Sequence, residues 1–379
     1  MGVELKTWLK DIFEKSEAKL AITCERIGDI IPYIPTNGRY TDKGTDNSGS
    51  REGIAWWTNG FWGGTMWQLY NATGKDLYRK SAENIEKRLD VALDSFIGLH
   101  HDVGFMYSHT AVANYRLTKN DKSRRRGLHA ANILAGRYNP AAKYILAWNV
   151  ESKGWMIIDT MMNLPLLFWA DKELGRPQYS YIAKTHADTV IEKLLRPDGS
   201  SNHIAILDHH TGEVLGLPMG QGYESGSSWT RGQAWALYGF ALTYHYTNEP
   251  RYLDTAKRVA HYFMTSVAKT DYVPLCDFRA PKEPVLYDTT AGAIALCGLL
   301  AIAQYVPEHE KCLYEETAIM MLKALVEKHA DFNPENDGIL LNGTTAYHDE
   351  AGHHVPIIYG DYFLIEGLLR LMGKDFFIW

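Results

Sequence analysis

The chain has 379 residues, 46% hydrophobic and 22% charged, which is ordinary globular composition with material for a large core. A net charge of −6 and the lack of a Lys/Arg-rich block argue against nucleic acid as a partner. No apolar run reaches the roughly 18 residues that read as a membrane span, and the first ten residues contain no apolar leader, so neither a membrane partner nor export is expected.

Residues 4–34 read as an amphipathic helix, with Leu5, Trp8, Leu9, Ile12 and Phe13 at helical spacing, followed by a polar loop over 35–55. A recurring unit then begins. Asn59 heads an apolar stretch through Tyr70 that turns at Thr73-Gly74, and a charged amphipathic helix follows over 75–96. Asp102 heads the second apolar stretch, which turns at 118–121 and returns as a basic helix to Leu134. There, Arg124-Arg125-Arg126 reads as a solvated face. Asp159 heads the third, with a Gly175/Pro177 turn and an outer helix over 179–195. Arg231 heads the fourth, which turns at 247–250 and returns through Phe263. Asp288 heads the fifth (289–305), with its outer helix to about Glu327, and Asp361 heads the last (362–372).

The six openers are spaced unevenly, yet each unit follows the same order: polar head, helix apolar all round, Gly/Pro turn, amphipathic helix. A helix apolar on every face is buried and an amphipathic one lies at the surface. Six of each predict an all-α (α/α)6 barrel of six inner and six outer helices, a single domain over 1–379. A solenoid of helical repeats would keep a steadier period. In the barrel all six openers share one rim, and the long segments before them gather there. Those segments hold Tyr138, Tyr144, Trp148, Trp155, His203, Gln221, Tyr223, Trp229, Tyr347 and His348. With 11 Trp and 23 Tyr in the chain, such a rim suits stacking on sugar rings.

Asp102 and Asp159 are therefore expected at the same rim, on consecutive inner helices. An Asp before a helix is commonly an N-cap. Two carboxyls converging at one rim raise one another's pKa and form an acid/base pair of the kind that glycosidases use. Asp288 and Asp361 are read as caps. Arg231 stands where a cation works against the helix dipole, so it needs either a salt bridge to a neighbouring Asp or a ligand carboxylate. The His pairs at 100–101, 209–210 and 353–354 lack metal-ligand spacing, and no metal or other cofactor is expected. There is no Walker loop, dinucleotide fingerprint or G-x-S-x-G elbow, and the Gly-rich run at 220–228 follows no expected strand. Cys24, Cys276, Cys297 and Cys312 show no C-x-x-C spacing and read as reduced thiols, hence a cytoplasmic placement.

Four ordered motifs carry a resemblance: Trp56-Trp57-Thr58-Asn59-Gly60-Phe61-Trp62, His101-Asp102-Val103-Gly104-Phe105, Ile157-Ile158-Asp159-Thr160-Met161-Met162-Asn163-Leu164-Pro165, and Ser228-Trp229-Thr230-Arg231-Gly232-Gln233-Ala234-Trp235. Together with the repeat they resemble the unsaturated glucuronyl hydrolases, glycoside hydrolase family 88, from about residue 50 onward. The related unsaturated rhamnogalacturonyl hydrolases match these motifs less closely. The resemblance implies removal of a 4,5-unsaturated uronic acid from lyase-generated oligosaccharides by hydration of its enol ether. It implies Asp159 as general acid/base, with Asp102 orienting the ring and helping to keep Asp159 protonated. It also implies substrate contacts from His101, His203, Gln221, Arg231, Trp235 and Tyr347, with Trp57 and Trp148 as aromatic walls. Relatives that prefer sulfated disaccharides carry Ser and Lys just after the position of Tyr347. Here the run is His348-Asp349-Glu350-Ala351, so unsulfated glycosaminoglycan disaccharides are the expected substrates. The alternatives are a pectin-fragment hydrolase and a non-catalytic sugar-binding barrel. The expected oligomeric state is a monomer or weak homo-oligomer.

Overall fold

A computed structural model describes residues 2–45, 53–96, 98–150 and 153–379; residues 46–52 of the expected polar loop lie outside the described residues. The helices follow the predicted alternation. Helix α1 spans Val3–Ile27, α2 Phe61–Thr73, α3 Asp76–Arg88 and α4 Asp90–Ser95. The second inner helix is α5 (Val103–Tyr107), a π-turn over Ser108–Val112, and α6 (Ala113–Thr118), followed by the outer α7 (Asp121–Ala135). Then come α8 (Leu164–Leu174), α9 (Gln178–Lys193), α10 (Thr230–Thr247), α11 (Pro250–Val267), α12 (Thr289–Ala303), α13 (Glu308–His329) and α14 (Ile358–Met372).

Around the inner ring α2 packs on the π-turn of the second helix, α5 on α8, α8 on α10, α10 on α12, α12 on α14, and α14 on α2 again. The ring is closed, as an (α/α)6 barrel requires. The cause is visible in composition: all fifteen residues of α12 are buried, whereas α11 buries one face through Tyr252, Ala256, Val259, Ala260 and Phe263. The outer layer is completed by α1, which packs on α14 and α3. Lys19 on α1 donates to the carbonyls of Asp331 and Gly338 at 2.7 Å each, and Arg26 pairs with Asp337.

Several local readings change. The first helix ends at Ile27, with Gly28 at positive φ, instead of running to 34, and the chain continues as an arm whose Ile31 is fully buried. Asp361 does not head α14 but lies inside its first turn, where its carboxylate accepts from the N–H groups of Ile339 and Leu340. Arg124 and Arg125 pair with Glu173 and Asp121, while Arg126 turns inward to Glu86 and Asp90. The loops between helices hold short strands: β1 (Tyr138–Asn139) pairs with β2 (Tyr144–Ile145), and β3 (Gly154–Ile157) pairs antiparallel with β4 (Ile204–Leu207), which pairs with β5 (Val214–Gly216). The Gly-rich run at 220–228 thus does follow a strand. Among the described residues no helix is long and apolar enough to cross a membrane, and the four cysteines are unpaired.

Much of the aromatic excess fills the barrel axis. Phe61, Phe105, Trp235, Phe363 and Trp379 pack on one another, and Trp379 stacks on Phe363 with ring planes 9° apart. Residues 374–379 cover the end where the inner helices finish, tied by Gln68 and Arg116 to the carbonyls of Phe376 and Phe377.

Candidate active site

At the opposite end, a cavity of about 610 Å³ opens over the helix heads. That is the size of a small-molecule site. Asp102 is the N-cap residue of α5, but its carboxylate does not bond to its own helix. Oδ1 accepts from Asn163 Nδ2 at 3.1 Å, and Oδ2 lies 3.3 Å from His101 Nε2 and 3.5 Å from His100 Nδ1. Burial works to raise its pKa. His101 foremost, with His100 and Asn163, outweighs burial and holds the carboxyl below the ordinary range. Asp102 is therefore held in its ionised form, its pKa lowered where mutual repulsion of two acids would have raised it.

Asp159 lies within a 3-10 turn, Ile158–Met162, immediately after β3. The β3–β4 register places Ile157 opposite Ile204, and the N–H of Ile158 donates to the carbonyl of His203. This pairing brings His203 beside Asp159, with Nε2 3.3 Å from Oδ2 in ion-pair range. Neither atom has a well-aligned hydrogen bond, so both are buried polar atoms that still lack a partner. The N–H of Gln221 donates to His203 Nδ1 at 3.0 Å, so in the neutral ring the proton sits on Nε2, toward Asp159. Gly220 holds φ +61°, and a Cβ there would lie 2.0 Å from His203 Nδ1. A side chain at 220 would push the imidazole away.

Asn163 joins the two acids. Its Nδ2 reaches Asp102 and the carbonyl of Asp159, and its Oδ1 accepts the N–H of Phe105 at 2.7 Å. Gly104 permits this approach, since a Cβ would lie 2.5 Å from the Cα of Asn163.

Arg231 lines the same cavity, and of the two partners left open for it the salt bridge to an Asp is present. Nη1 pairs with Asp288 at 2.6 Å and donates to the carbonyl of Thr344, while Nη2 donates to Thr345. Burial opposes its charge, and the Asp288 carboxylate beside it helps to hold its pKa above the ordinary value. Asp288 stands at the N-cap of α12, with its carboxylate turned to Arg231 and to the hydroxyl of Thr290. Gln221 Nε2 also donates to the carbonyl of Thr345, so the wall segment 344–345 is held from two sides.

Of the residues expected at the site, Asp102, Asp159, Trp57, Trp148, His203, Gln221 and Arg231 line the cavity. His101 stands behind Asp102, fully buried, with Nδ1 2.9 Å from the hydroxyl of Thr160. Trp235 is buried below Trp57, and Tyr347 packs against Tyr223 outside the lining. Sequence reasoning passed over Tyr33, Lys43, Trp56 and Tyr359, which also line it. Trp56 precedes Trp57, and Tyr359 lies two residues before an opener, which were the available signals. Among the described residues His100, His101 and Asp102 form the one group whose ligand atoms could meet around a metal ion, within 4.8 Å.

The sequence matches the family described as Glycosyl Hydrolase Family 88 over residues 36–243. The chain belongs to glycoside hydrolase family 88. It is 37% identical over 360 residues to the unsaturated glucuronyl hydrolase of Bacillus sp. (strain GL1), covering 92% of each chain. It is 35% identical over 329 residues to the unsaturated chondroitin disaccharide hydrolase of Streptococcus pyogenes serotype M1, covering 83% of this chain and 80% of that one. The fold matches the solved unsaturated glucuronyl hydrolase from Bacillus sp. GL1 with TM-score 0.88 at 35% identity, over 95% of this chain and 96% of that one. It matches the one from Streptococcus agalactiae with TM-score 0.89 at 28% identity, over 99% and 94%. As a family 88 member the chain is an enzyme, a glycosidase of the unsaturated glucuronyl hydrolase type on an α/α barrel.

Proposed function

We propose that the enzyme releases the 4,5-unsaturated uronic acid from the non-reducing end of lyase-generated oligosaccharides, glycosaminoglycan disaccharides foremost, with Asp159 as general acid/base. The observation that carries this reading is the Asp159 carboxylate itself. It lines the cavity with its Oδ2 3.3 Å from His203 Nε2 but in no aligned hydrogen bond, and it shares that cavity with an ionised Asp102.

The Asp159 carboxyl protonates C4 of the enol ether and leaves oxocarbenium character between C5 and the ring oxygen. Water adds to C5 and gives its proton to the Asp159 carboxylate. The hemiketal then opens, the bond from the anomeric carbon to the leaving sugar breaks, and the ring becomes an open keto-acid. Asp102 accepts hydrogen bonds from ring hydroxyls, and Trp57 and Trp148 supply flat faces. His203 and Gln221 are placed to orient the water and the uronate. Asp349 on the wall favours unsulfated leaving sugars where they meet that wall. We place the enzyme in the cytoplasm, as one catalytic domain that needs no cofactor and acts as a monomer or weak homo-oligomer.

The test is loss of the ultraviolet absorbance of the conjugated C=C–carboxylate group, using unsaturated chondroitin and hyaluronan disaccharides with wild type and Asp159→Asn. Decay with wild type alone is expected. Persistence of absorbance with wild type on every glycosaminoglycan and pectin-derived substrate would overturn the reading.

A further inference from the structure

An acidic sugar must find a cation in this cavity, and few are free. The lining carboxylates among the described residues are Asp102, Asp159 and Asp349, and the lining Lys and Arg residues are Arg231 and Lys43. Arg231 already faces Asp288 at 2.6 Å. Lys43 makes no ion pair among the described residues. Its ammonium lies 5.0 Å from the ring centroid of Trp56 and 5.3 Å from that of Tyr33, and the two rings meet edge to face at 5.7 Å. Aromatic faces attract an ammonium without neutralising it, so the charge remains available to a ligand.

The arm that carries Lys43 is anchored. The N–H of Lys43 donates to the carbonyl of Ile31 at 2.9 Å. Next to it, Asp42 accepts from the N–H groups of Ile31 and Gly44 and pairs with Arg88 at 2.8 Å. A long side chain otherwise loses conformational freedom on binding, and both anchoring and ring contact reduce that loss.

We propose that Lys43 is the anion receptor of the cavity, taking an oxyanion of the acidic sugar: the uronate carboxylate, or a sulfate on the leaving sugar. This rests on the hydrolase reading above. Asp349, on the 345–352 wall of the same cavity, repels an anion placed there and so favours the position at the arm. Lys43 then acts on binding, with the acid/base step left to Asp159.

The experiment is steady-state kinetics of Lys43→Met and Lys43→Arg on unsaturated disaccharides with and without sulfate on the leaving sugar, at low and high salt. Met keeps the stem against the rings and removes the charge. The expected result is a KM raised about tenfold by Lys43→Met at low salt, the scale of one charge-assisted contact, with kcat within about threefold. Lys43→Arg restores most of the loss, and the salt dependence of KM is weaker in Lys43→Met. An equal rise on both substrates assigns the contact to the uronate, and a rise confined to the sulfated one assigns it to the leaving sugar. A KM within twofold of wild type on both, with unchanged salt dependence, overturns the proposal. Inactivity of wild type on all substrates would instead strike the hydrolase reading. Calorimetric binding of the same disaccharides to wild type and Lys43→Met then decides on Lys43, with equal affinities overturning it.

Discussion

Replacing Asn163 by Asp tests how the two acids are held. The change preserves size, and the new carboxylate can still accept the N–H of Phe105 that the amide accepts at 2.7 Å. What it removes is the donor, which lies 3.1 Å from Asp102 Oδ1. A hydrogen bond to a charged group contributes about 1.5–3 kcal/mol. Applied to the transition state, that corresponds to a fall in kcat of roughly 10- to 150-fold. A second carboxylate against Asp102 also disfavours the ionised form of Asp102, so the acid limb of the pH–rate profile moves to higher pH. Gly104→Ala gives an independent route to the same end, because its Cβ would lie 2.5 Å from Asn163. The assay is chromophore loss across pH, with a thermal melt of each variant to separate catalysis from folding. An Asn163→Asp enzyme with kcat within twofold of wild type and an unmoved acid limb would refute the reasoning.

Gly220→Ala should lower kcat/KM by an order of magnitude or more with a modest change in melting temperature, because the added Cβ displaces His203 from Asp159. Kinetics with a melting curve check this. Asp288→Asn leaves Arg231 buried without its carboxylate, and breaking a buried pair costs about 3–5 kcal/mol, measurable by urea denaturation. Burial raises the Asp361 carboxyl from 3.8 to about 6, with the N–H groups of Leu340 and Ile339 acting in opposition. A raised carboxyl contributes stability at low pH that is lost as pH rises through about 6. The difference is about 3 kcal/mol, so Asp361→Asn should gain on wild type by roughly that amount between about pH 4 and pH 7 in urea melts.

The ring of helices was legible because burial is written into composition. The Ala/Leu stretch of α12 can only be interior, and the spacing of α11 can only be half-buried. The acids at the rim followed from the same logic, since each inner helix runs the same way. Less visible was anything set by pairing across long separations. The antiparallel match of β3 with β4 brings His203 to Asp159, and no local period reports it. Arg231 advertised a missing partner, but sequence could not decide that Asp288, 57 residues on, supplies it. Trp235 and Tyr347 carry the right chemistry in the right motifs, yet Trp235 is buried against Trp57 and Tyr347 packs on Tyr223, and neither is in the cavity lining. Lys43 belongs to an arm whose course depends on Asp42 and Arg88, and nothing periodic marks it.

The closure of α14 onto α2 and α1 has a kinetic meaning. These contacts join segments some 300 residues apart, as do the bonds from Lys19 to Asp331 and Gly338. Until they form, the growing arc of helices keeps two open ends with apolar flanks, the condition in which large chains populate intermediates and aggregate. The last inner helix works as a keystone. A circular permutant cut in an exposed outer turn, such as the one at 175–177, moves the seam elsewhere in the ring. Such a chain should reach the same native state with a different order of assembly, and its refolding yield would report how much the original seam limits folding.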